Sequence, residues 1–144
     1  MIRKIRESDK EIFIEMSKDF YSSDVVFRNI PEKFHFDAFK ELMRSDEYAE
    51  CYIFEVKGEI AGYALLAKTY SREAGGNTVW IEELYVLPQY RGKGIGTKFF
   101  DCLFEKIPAA RYRLEVEPEN ERAVKLYKEK GFYYLPYQQM IKGN

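Results

Sequence analysis

A chain of 144 residues, 46% apolar and 17% aromatic, has material for one buried core and not for two independent domains. Its 23 basic and 24 acidic residues give a formal net charge of -1, so no global field gathers nucleic acid or an anionic membrane, and any anion site has to be local. The longest apolar run, Ile60 to Ala67, falls far short of the roughly 20 residues that span a bilayer, and the N-terminus lacks a secretory core, so a soluble, cytoplasmic protein without a membrane partner is expected.

In chain order, a short strand (Ile2 to Arg6) leads to Ser8, a candidate N-cap. A helix through about Tyr21 follows, with Ile12, Phe13, Met16 and Phe20 at helical spacing. A second helix is expected from Pro31 to about Arg44. Cys51 to Val56, a Gly58 turn, and Ile60 to about Tyr70 read as an antiparallel hairpin. After Gly75, Gly76 and Asn77, a strand covers Thr78 to Leu87 and stops at Pro88, which has no N–H for a ladder. Ile95 to Lys106 places Ile95, Phe99, Cys102 and Leu103 on one helical face. Arg111 to Glu117 alternates as a strand, with Tyr112, Leu114 and Val116 on one side. Asn120 caps a helix to Lys130, Gly131 closes it, and the aromatic tail Phe132 to Lys142, broken at Pro136, reads as two final strands. The expectation is one α+β domain over residues 1–144. Its order is βααβββαβαββ, a mixed and mostly antiparallel seven-stranded sheet with helices on both faces.

The chemistry concentrates in Leu84-Tyr85-Val86-Leu87-Pro88-Gln89-Tyr90-Arg91-Gly92-Lys93-Gly94-Ile95-Gly96-Thr97, a strand that runs into three glycines opening a helix. Glycines let the backbone approach a ligand, the helix start leaves N–H groups unpaired, and Arg91 and Lys93 add charge, so a pyrophosphate suits this loop. It is not a Walker loop, because counting from Gly92 puts Thr97 where the second glycine should stand. The dinucleotide fingerprint GxGxxG fails at the same residue.

Gln89-Tyr90-Arg91-Gly92-Lys93-Gly94-Ile95-Gly96 resembles the Q/RxxGxG/A signature of the GNAT superfamily of acyl-CoA N-acyltransferases. The spacing Asn120, Ala123, Tyr127, Gly131-Phe132 resembles its next block. The resemblance implies acetyl-CoA as co-substrate and a primary amine as acceptor. It also implies that Leu84, Tyr85 and Val86 pair with the pantetheine arm where two strands splay at a bulge near Glu82 to Leu84. The diphosphate is then held by Arg91, Gly92, Lys93, Gly94, Ile95, Gly96 and Thr97, and the arm is met from the other side by Asn120 and Ala123.

A lysine-like ammonium with a pKa near 10.4 is unprotonated in only about one molecule in a few thousand at pH 7, so a base is useful. Glu82 and Glu83 are adjacent on an otherwise apolar strand, and their side chains leave opposite faces unless a bulge intervenes. The resemblance places Glu82 at the family's proton acceptor, with Glu83 as the alternative, and places Tyr127 at the acid that protonates the leaving thiolate. The resemblance also implies that acceptor choice falls to the segments from Asp19 to Pro31 and from Tyr70 to Asn77. Tyr21 and Glu83 are the candidate contacts, and Asp24 and Glu83 favour a cationic amine. A non-catalytic acyl-CoA-binding module and a nucleotide-binding protein are the competing readings. Cys51 and Cys102 have no CxxC spacing and His35 is the sole histidine, so neither a disulfide framework nor a metal centre is expected. His35 is expected in packing or at the surface. The aromatic tail could support a homodimer, which is common in the family resembled.

Overall fold

The computed structural model describes residues 1–144. The chain opens with β1 (Ile2–Lys4), a 3-10 turn at Glu7–Asp9, and α1 (Lys10–Tyr21). Asp9, and not Ser8, organises this start. Its carboxylate accepts the Arg6 N–H at 2.9 Å and both arms of the Arg3 guanidinium at 2.8 and 2.9 Å, tying β1 to α1. Pro31, with φ -57°, precedes α2 (Glu32–Arg44). β2 (Ala49–Val56) and β3 (Glu59–Ser71) form the expected hairpin around Lys57 and Gly58, both at positive φ as a two-residue turn requires. Next come β4 (Gly76–Val86), α3 (Ile95–Lys106), β5 (Arg111–Leu114) and α4 (Glu121–Glu129).

The sheet runs β1-β2-β3-β4-β5, with four antiparallel strands and β5 parallel to β4 across the α3 crossover. Alternation along each strand supplies two cores. Cys51, Ile53 and Tyr63 pack with Phe13, Met16 and Phe39 of α1 and α2 on one face. Phe54, Ala64, Leu66, Val79 and Ile81 pack with Phe99, Phe100 and Leu103 of α3 on the other. Each of the Ile, Val, Leu, Phe and Met side chains among them contributes about 1.5–3 kcal/mol when taken from water. No helix is long and apolar enough to cross a membrane.

The sheet has five strands, not seven. Residues from Phe132 to Lys142 form no ladder. The last backbone bond along the chain is Phe132 N–H to Tyr127 O at 3.0 Å. The aromatic run misleads because it does not alternate between a buried and a solvated side. Tyr133, Tyr134 and Tyr137 all stay exposed, and Pro136 removes a donor in the middle. Beyond Phe132, side chains hold the tail, among them Tyr137 on Glu73 and Gln139 on Glu115. β5 also ends at Leu114, short of the expected Glu117.

Candidate active site

Pairing between β3 and β4 matches Leu65 with Glu83 and Leu66 with Ile81, which leaves Glu82 as an extra residue in a β-bulge. The bulge inverts the alternation. Val79 and Ile81 before it and Leu84 and Val86 after it all pack on the α3 face, while Tyr85 turns to the α1 face. On the other edge of β4, pairing with β5 ends at Ile81 with Leu114. From Glu82 to Val86 that edge has no strand beside it, and apart from Val86 O, which accepts from Arg91 Nε, the backbone is free to pair with an extended ligand. This is the splay expected near Glu82 to Leu84.

The strand leads into the glycine loop. Leu87 N–H bonds Ala61 O at 2.7 Å, Tyr90 N–H bonds Leu87 O at 2.9 Å and Arg91 N–H bonds Pro88 O at 3.3 Å. The next engaged amide is Lys98, on Gly94 O at 3.1 Å. The six amides of Gly92, Lys93, Gly94, Ile95, Gly96 and Thr97 therefore have no backbone acceptor at the positive end of α3, the arrangement that binds anions. Gly92 and Gly94 sit at φ 77°, where any side chain is strained. At Gly96 a β-carbon would meet Leu126 Cδ2 at 2.9 Å, so this glycine lets α4 close on α3. The residues fit a coenzyme diphosphate at the loop and an extended arm along β4.

The expected coenzyme contacts are brought together unequally. Arg91 turns away from the loop: its Nε donates to Val86 O at 2.7 Å and its guanidinium lies 5.6 Å from the centre of the Tyr85 ring. Lys93 is exposed, with its ammonium 5.7 Å from the Tyr90 ring. Asn120 caps α4 by accepting the Ala123 N–H at 3.3 Å. This engages Ala123's amide and leaves the Asn120 NH2 group as the part able to bond a ligand.

The two glutamates separate by environment. Glu83 is buried on the α1 face, where Tyr63 donates to one oxygen at 2.6 Å and Tyr21 to the other at 2.9 Å. Burial pushes its pKa up, and the two phenols oppose the rise. Glu82 keeps access to solvent at the bulge, and its carboxyl is raised first by the surrounding protein and then by the charge of Glu115. Tyr127 is half-buried, 5.8 Å from the Phe100 ring and 6.1 Å from the Phe132 ring, and burial alone raises its phenol above the usual value. Tyr21 is likewise raised, by burial and then by Glu83. Asp24 is exposed in the connection between α1 and α2. His35 is buried, with Nδ1 2.6 Å from Ser17 Oγ and its ring 5.9 Å from that of Tyr21.

Sequence reasoning missed Tyr63, Asp19 and Arg122. Tyr85 donates to Asp19, and a β-carbon on Gly92 would lie 2.9 Å from Nη2 of Arg122. A signal for Tyr63 was present in the parity of β4. Val79 and Ile81 against Leu84 and Val86 require one extra residue between them, which turns Glu83 onto the face of Tyr63 and Tyr85.

Residues 10–132 match the profile of the Acetyltransferase (GNAT) family. Thialysine N-epsilon-acetyltransferase of Mus musculus is 32% identical over 143 residues, covering 88% of this chain and 80% of its own length. A possible acetyltransferase from Clostridium difficile 630 superposes with a TM-score of 0.85 at 20% identity, over 100% of this chain and 97% of that one. The aminoglycoside acetyltransferase AAC(6')-Iy, solved with the bisubstrate analogue CoA-S-monomethyl-acetylneamine, gives 0.80 at 17% identity, over 100% and 97%. These two structures share the fold. An open strand edge leading into a cradle of free amides is a scaffold for an extended ligand with an anionic end, and the profile match makes it specific: the chain belongs to the GNAT acetyltransferase family. It is an N-acetyltransferase that uses acetyl-CoA.

Proposed function

We propose that the acceptor is a cationic primary amine, that Glu82 takes its proton and that Tyr127 protonates the departing thiolate. When bound, acetyl-CoA supplies the thioester carbonyl that the amine attacks. The observation that carries the reading is the continuity of the open β4 edge, Glu82 to Val86, with the six free amides of Gly92 to Thr97. Amides at the loop would bind the diphosphate, and the backbone of Leu84, Tyr85 and Val86 would hold the arm extended, with the Asn120 NH2 group as a further donor.

Glu82 is favoured over Glu83 because its oxygens are free. Both oxygens of Glu83 already accept phenol protons, so Glu83 can hold negative charge next to the cleft but is poorly placed to take a proton. A raised pKa brings Glu82 nearer to neutrality, where a general base works best. The raised phenol of Tyr127 stays protonated there and is a donor to a thiolate whose parent acid lies near pKa 8.5. Tyr21, on Glu83 at 2.9 Å, gives the acceptor side an acidic and aromatic lining suited to an ammonium group. The mouse relative, named for the N-epsilon acetylation of thialysine, agrees with an amine acceptor.

The test is thiol release from acetyl-CoA across cationic and neutral amines. Cationic amines are expected to turn over fastest, and Tyr127→Phe should lower kcat about a hundredfold while coenzyme affinity stays within a factor of about two. Unchanged turnover in that variant removes Tyr127 from the acid role. Coenzyme binding without thiol release on any amine would mark an acyl-CoA-binding module instead.

A further inference from the structure

The loop before α3 shows two cations by sequence, yet the nearer guanidinium is engaged elsewhere. Arg91 donates Nε to Val86 O at 2.7 Å and stands 5.6 Å from the centre of the Tyr85 ring, and Tyr85 in turn donates to Asp19 of α1. Tyr85 belongs to the core on the α1 face. Arg91 is thus drawn toward that face, while α3 and α4 pack on the opposite one.

Arg122 comes to the loop from the other side. It sits in the first turn of α4, two residues after the Asn120 cap, and its Nη2 would lie 2.9 Å from a β-carbon on Gly92. No carboxylate pairs with it, although Lys130 at the end of the same helix is paired with Asp101 at 2.6 Å. An unpaired guanidinium beside Gly92, the first of six residues with unengaged amides, is a fork within reach of the place where phosphate oxygens would settle. Gly92 is required by its φ of 77°, and Arg122 fills the space beside it.

We infer that Arg122, and not Arg91, is the guanidinium that binds the phosphates of the coenzyme, and that Arg91 is a positioning residue for the exit of β4. This rests on the proposed coenzyme site at the loop. The experiment compares acetyl-CoA with S-acetyl-pantetheine, which carries the same thioester and arm without any phosphate. Arg122→Gln is expected to raise KM for acetyl-CoA about tenfold or more, to flatten the salt dependence of that KM, and to leave S-acetyl-pantetheine turnover at the wild-type value. Arg91→Gln should instead shift KM for both thioesters by the same factor, with the salt dependence preserved. Arg122→Lys, which keeps charge without the fork, should recover only part of the loss and show the remainder on acetyl-CoA alone, so it carries the test should the glutamine variant melt early.

An Arg122→Gln effect equal on the two thioesters, or no effect on either, overturns the assignment, as does a phosphate-selective effect of Arg91→Gln. A thermal shift of the wild-type protein with coenzyme A separates the two levels. Absence of any shift sinks the coenzyme reading of the loop itself, whereas a clear shift with an indifferent Arg122→Gln sinks this inference alone.

Discussion

Glu82 and Glu83 are chemically identical neighbours that the bulge places in different surroundings, and the difference has a measurable pH consequence. Glu115 is the charged group that adds to burial in raising the Glu82 carboxyl. A negative neighbour disfavours the ionised form, so removing it lowers the pKa. If Glu82 must be ionised to accept a proton, the acid limb of kcat/KM lies above the pKa of a free glutamate in the wild type and should move to lower pH in Glu115→Gln, with the plateau retained. A pH–rate profile of both proteins checks this, and an unmoved limb would take Glu82 out of the base role. The motif resemblance favoured Glu82 over Glu83, but alternation alone could not assign their faces, because a one-residue slip exchanges them. Arg91 shows the same limit. Its charge was legible, but its direction depends on Val86 O and Tyr85, contacts that only the folded chain defines.

Elements with strong local signals were legible almost to the residue. α3 spans Ile95–Lys106 as its apolar face and Pro108 indicate, and α4 follows the Asn120 cap. Strand ends were not, since they depend on a partner: β5 stops where β4 bulges away, and the tail has aromatics enough for strands but no ladder to join. The bulge itself invites a deletion. Removing one of the paired glutamates leaves Val79, Ile81, Leu84 and Val86 in strict alternation on the α3 face, with the remaining glutamate beside Tyr63 and Tyr21. The variant should therefore fold, with circular dichroism and a cooperative melt like those of the wild type. Losing the extra residue should also let β4 continue straight and close the gap beside β5. Activity is expected to fall at least a hundredfold and the thermal shift with coenzyme A to vanish. A deletion variant that still binds the coenzyme normally would show that the bulge does not create the splay.

Across the whole molecule, stability is distributed in a way that bears on binding. The two cores press on opposite faces of β2, β3 and β4, where Ile53, Phe54, Tyr63, Ala64 and Leu66 are wholly or almost wholly removed from water. α4 has no fully buried residue and docks through the half-buried Leu126 and Tyr127, with one side-chain cap and the Lys130–Asp101 pair at its ends. Such a helix opens at lower free energy than the central strands. In the proposed site the coenzyme spans from the β4 edge and the α3 amides to Asn120 and Arg122, so binding should tie α4 to the rest of the domain. At 100 times its dissociation constant a ligand adds about 2.7 kcal/mol to stability, and this gain should be local as well as global. Amide exchange from Ala123 to Lys130 is expected to slow at least tenfold with coenzyme A, together with a rise of several degrees in Tm. The β2–β3 amides, expected to exchange only on global unfolding, should slow in proportion to the global gain alone. Hydrogen exchange read by mass spectrometry distinguishes the cases. Protection confined to the strands, with α4 unchanged, would mean that the coenzyme does not reach across the cleft, and that Asn120 and Arg122 lie outside its site.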